Sequence, residues 1–135
     1  MIYGQLQFYN DELKAWFKII DFHKAELNEL VTQLNVLLSF PLLSSQDSKA
    51  GNAFIDQLMV QDQRFDHVHH HFEHQAQRLE HAFTSSDELE HSIVELQESC
   101  RIKMKAYEVA FTKTKYGCFD FLSGFFQPHP IAVLA

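Results

Sequence analysis

Glycine and proline are scarce in this 135-residue chain. It has 4 Gly and 3 Pro, and two of the prolines (Pro128 and Pro130) stand in its last eight residues. A sandwich or barrel of short strands needs turn residues every ~8–12 positions, so all-β architectures are excluded and helix is the expected state of most of the chain. Cysteine is limited to Cys100 and Cys118. On one helix, eighteen residues apart, they would stand ~27 Å from each other, too far to bridge. Neither has a second Cys at metal-binding spacing, so both are expected as buried, reduced thiols of a cytoplasmic protein. No apolar run approaches the ~18 residues of a membrane span, and residues 1–10 lack the basic and apolar regions of a signal peptide. Phosphate-cradling Gly loops, the G-x-S-x-G elbow and the HExxH helix are all missing, so the sequence points to no enzyme class.

Positive charge is also short. With His neutral the net charge is −7, which argues against non-specific attraction to nucleic acid or anionic membrane. Five of the 11 basic residues do fall together (Arg101, Lys103, Lys105, Lys113 and Lys115). Glu98 and Glu108 sit among them, so the group reads as the solvated face of one helix.

What the chain has is apolar residues, 46% of it, arranged with helical spacing. Leu13, Trp16, Phe17, Ile20, Leu27, Leu30, Val31, Leu34, Leu37 and Leu38 mark a first helix over about 10–39, with Asn10 as N-cap and Pro41 as its stop. The Ser- and Asp-rich stretch 42–51 is the only interior linker. A second helix over about 50–83 repeats Leu58, Phe65, Phe72 and Leu79 every seven residues. Ser85 to Glu88 forms a capping box that opens a third helix over about 86–122. Its seam is Leu89, Ile93, Leu96, Cys100, Met104, Tyr107, Phe111, Thr114, Cys118 and Phe121, followed by an apolar tail at 125–135. The fold class is all-α: three long amphipathic, coiled-coil-like helices, expected as one up-down-up antiparallel bundle domain over 1–135.

A second stripe on the third helix (Val94, Ile102, Ala106 and Val109) faces away from this seam, and Phe22 lies off the main face of the first helix. Scattered apolar surface residues are ordinary. A stripe, however, suggests association, and the expectation is a homo-oligomer, a two-fold dimer above all, formed through Ile102, Val109, Phe22 and the 125–135 tail. A helix from a partner protein is the other possible occupant.

Nine histidines make the chain histidine-rich. His67, His70, His71, His74 and His81 form a surface stripe on the second helix. His67 with His71, and His70 with His74, stand at the i,i+4 spacing that lets two imidazoles share a divalent transition metal. A zinc site wants three or four protein ligands, so one helix alone is incomplete. The blander reading is a solvated face, and a third is a pH-sensing face. Inside the expected bundle, His23, Asp62, Asp66 and His69 fall on or beside apolar faces. One reading is a polar layer in which His23 or His69 pairs with Asp62 and fixes helix register. Alternatively, Asp66-x-x-His69 has the carboxylate-x-x-His spacing of di-iron bundles. The favoured function is therefore a non-enzymatic helical bundle acting by protein–protein contact or self-assembly, with no cofactor. The alternative is a metal-binding bundle using His and Asp of the first two helices.

Overall fold

A computed structural model of the chain describes residues 3–84 and 90–126. These residues form three α-helices: α1 at Tyr3–Leu38, α2 at Ser45–Thr84 and α3 at Glu90–Ser123. No strand occurs among them, and no helix is long and apolar enough to cross a membrane. The Ser85–Glu88 capping box and tail residues 127–135 lie outside the described residues.

Each helix buries a row of side chains spaced three, four or seven apart, the spacings that keep one face inward. On α1 the row is Leu6, Leu13, Ile20, Leu27 and Leu34, joined by Leu30 and Leu37. On α2 it is Gly51, Leu58, Phe65, Phe72 and Leu79, with Gln61, Val68 and Gln75 between them. On α3 it is Ile93, Gln97, Cys100, Met104, Phe111, Cys118 and Leu122. Deleting one of the fully buried large side chains, Phe65, Phe72 or Phe111, removes ~3–5 kcal/mol of stability.

Two helix starts differ from those the sequence predicts. α1 begins at Tyr3, so Asn10 sits inside the helix and caps nothing. The buried row runs back to Leu6, and burial of an amphipathic face outweighs a local capping preference. α2 begins at Ser45, five residues early. Ser44 is its cap: the Ser44 Oγ accepts from the Asp47 amide at 3.0 Å, and the Ser44 carbonyl accepts from the Ser48 amide at 2.9 Å. Linker residues rich in Ser and Asp are good caps as well as good linkers. At its other end α1 closes with the Ser39 hydroxyl donating to the Val36 carbonyl at 2.6 Å, just before Pro41. α2 crosses α1 closely at Gly51, where an added Cβ would stand 3.1 Å from Leu38 Cδ2.

Tyr3 meets Phe83, Trp16 meets Phe72 and His23 meets Phe65, so numbers rise along α1 as they fall along α2. Between α2 and α3 the pairs are Gln75 with Gln97, Phe65 with Phe111 and Phe54 with Phe121. α1 and α3 touch less extensively than either touches α2. Their side chains meet through Glu12 with Arg101, His23 with Glu108 and Glu26 with Lys115.

Candidate functional site

The four interior candidates do not converge. His23 is packed between the Phe65 and Phe111 rings with its side chain 11% exposed. Its partners are Glu26, 3.3 Å from Nδ1, and Glu108, 2.8 Å from Nε2, rather than Asp62. Asp62 and Asp66 both pair with Lys24 of α1. Burial pulls the Lys24 ammonium down, but hydrogen bonds to Asp66 and Asp62 outweigh it and the net shift is upward. His69 packs edge-on against Phe17 and lies 3.2 Å from Glu73. The Asp66-x-x-His69 spacing is therefore split between two separate contacts.

The grouping at His23 looks like a ligand set and is not one. Glu26 and Glu108 sit on opposite nitrogens of one ring, so no single point is within bonding reach of all three. Lys115 also donates to Glu26 at 3.1 Å. Both nitrogens of the ring thus face carboxylates, one from α1 and one from α3. This is a clip between α1 and α3.

On the outer flank of α2, His67, His70, His71 and His74 line an open depression of about 440 Å³ together with Glu73 and Gln77. The His67 and His71 rings meet edge-on at 4.7 Å. However, the Lys103 ammonium lies 2.8 Å from His71 Nε2. An ammonium has only donors, so that nitrogen accepts and the proton sits on Nδ1. Burial, and then the Lys103 charge, push His71 below its ordinary value. His74 Nε2 likewise accepts from Arg78 Nε at 3.1 Å. Each i,i+4 pair thus has one member already capped by a cation. Among the described residues, no group of three or more His, Cys, Asp or Glu side chains is placed to hold a metal ion.

The sequence reading missed a polar layer that crosses all three helices. Gln75 Nε2 donates to Gln97 Oε1 at 2.8 Å and to the Ile93 carbonyl at 3.0 Å. Gln97 Nε2 continues to Glu12 at 2.8 Å and to the Tyr9 carbonyl at 3.2 Å. Arg101 then grips Glu12 through both carboxylate oxygens at 2.7 and 3.0 Å, and that contact raises the guanidinium further. A signal was present: the three-four alternation of α2 is unbroken only if Gln61 and Gln75 are counted as core positions. Both thiols are buried, and burial lifts each to about 11, which leaves neither reactive.

The outward side of α3 is different in kind. Ile102, Val109 and Tyr116, seven residues apart, are 61, 63 and 59% exposed. On α1, Phe8, Phe22 and Val36 are exposed at intervals of fourteen. Val94 and Ile102 line an apolar depression of about 500 Å³ on α3, edged by Glu95, Glu98, Ser99 and Lys103. Of the five clustered basic residues, Arg101, Lys103 and Lys115 are engaged with Glu12, His71 and Glu26. Lys105 and Lys113 stand exposed beside the stripe. No family model, no curated protein and no solved structure matches this chain, so its function is argued from these faces alone.

Proposed function

We propose that this protein is an up-down-up helical bundle that works by protein–protein contact through the exposed apolar side of α3 and α1, self-association being the favoured form. The single observation that carries the reading is the stripe Ile102, Val109 and Tyr116. Isolated exposed apolar residues are ordinary, whereas a row at heptad spacing is the pattern by which one helix packs on another. The order of the interhelical contacts supports the topology. Numbering runs in opposite senses for α1 against α2 and for α2 against α3, and in the same sense for α1 against α3. The polar layer fixes register, a role buried polar groups serve in coiled coils.

The test compares the chain with an Ile102→Ser/Val109→Ser variant by light scattering after gel filtration, with far-UV circular dichroism as a check on folding. The reading expects an associated native chain and a variant of equal helicity but lower mass. Equal masses for the two would remove this face from the account. The metal-binding alternative gains nothing from the side-chain placements above.

A further inference from the structure

The outer face of α3 is polarised along its length. Toward the N-terminal end lies the Val94–Ile102 depression, edged by Glu95, Glu98 and Ser99 and by Lys103, whose ammonium is engaged by His71. Toward the C-terminal end stand the exposed Lys113 and the half-exposed ring of Tyr116. Among the described residues, Glu95 and Glu98 pair one turn away on their own helix, with His91 and Arg101. An apolar hollow with an acidic edge fits an aromatic side chain flanked by lysine, and the same helix carries that pairing two turns beyond its midpoint.

Resting on the interaction reading above, we infer that the occupant is a second copy of this chain, docked α3 against α3 in antiparallel sense about a two-fold axis near Lys105 and Ala106. In that pairing Ile102 of each copy packs on Val109 of the other. Glu98 faces Lys113, and Tyr116 enters the hollow beside Glu95. Two-fold symmetry makes every contact twice. Lys105 meets its own mate near the axis in either sense, but a parallel pairing would also set Glu98 against Glu98 and Lys113 against Lys113, and like charges brought together are repulsive. From Val94 to Tyr116 the helix rises ~33 Å. A single helix pair of that length buries less than the ~800 Å² per partner of a stable complex, so the dimer depends on concentration.

The axis gives a geometric test. A cysteine placed at Ala106, exposed and beside the axis, comes within disulfide reach of its own symmetry mate, which requires Cα atoms within about 7 Å. The native Cys100 and Cys118 are buried and stay out of the reaction. Ala106→Cys and the control Gln63→Cys, on the exposed side of α2, are oxidised at high micromolar concentration and run without reductant. Native mass is measured in parallel. The expected result is a covalent dimer for Ala106→Cys alone, and a several-fold weaker dimer when Lys113→Glu is added. A dimeric mass with no preferential cross-linking at position 106 overturns the α3 pairing and leaves self-association through another face standing. A monomeric mass overturns the second copy as occupant.

Discussion

Gln75 and Gln97 meet at 2.8 Å inside the bundle, and each is wholly buried. The link binds α2 to α3, and the Gln97 amide carries it on to Glu12 and the Tyr9 carbonyl of α1. A buried amide that loses its partner keeps its desolvation cost, whereas removing both partners leaves nothing unsatisfied. Gln97→Leu alone is therefore expected to destabilise the fold by about 1–3 kcal/mol. Adding Gln75→Leu should recover most of that loss, since Gln75 Oε1 has no partner even in the native chain. Urea unfolding of the two single variants and the double variant checks the sign. Additive losses would show that the pair does not act as a unit.

Gln61 offers the simpler case. Its Oε1 is buried without a hydrogen-bond partner, in the buried α2 row that also holds Gln75. Gln61→Met keeps the volume and removes the unsatisfied group, so a gain of roughly 1 kcal/mol is expected. A loss in thermal or urea unfolding would mean that this oxygen is satisfied in solution, for instance by water.

His71 sets a pH dependence whose sign is fixed. Its folded pKa lies below the ordinary 6.5, because of burial first and the Lys103 charge second. A depressed group contributes stability that is whole above the unfolded pKa and is lost as pH falls through the folded value. Stability should thus decline below about pH 6.5, and His71→Gln, which retains an acceptor for Lys103, should flatten part of that decline. Parallel pH profiles for the native chain and the variant would contradict the assignment.

Much of the core was legible in the sequence. Leu58, Phe65, Phe72 and Leu79 of α2, and Ile93, Cys100, Met104, Phe111 and Cys118 of α3, are all buried as their spacing predicts. The polar residues were harder to place, for a physical reason. Their environment depends on which helix stands opposite, and one helix's periodicity does not carry that. His23 or His69 was expected to pair with Asp62; instead His23 meets Glu108 from α3, His69 meets Glu73, and Asp62 turns to Lys24. Gln75 and Gln97 were passed over because hydropathy counts glutamine as surface, although their positions continue the buried rows.

The two thiols allow a check on packing at the level of single residues. Cys100 and Cys118 are fully buried and raised to about 11, and the thiolate is the reactive form. A disulfide reagent at mildly alkaline pH should label neither in the native chain and both after unfolding. Rapid labelling of Cys118 in the native state would mean that the Gly117–Phe121 end of α3 opens readily.

The measurement closest to the centre of the account is sedimentation equilibrium of the native chain, carried from low to high micromolar concentration. Self-association through the outer face of α3 requires the mass to rise from 15.8 kDa toward twice that value, and Lys113→Glu to delay the rise. A mass that stays at 15.8 kDa across the whole range would contradict it.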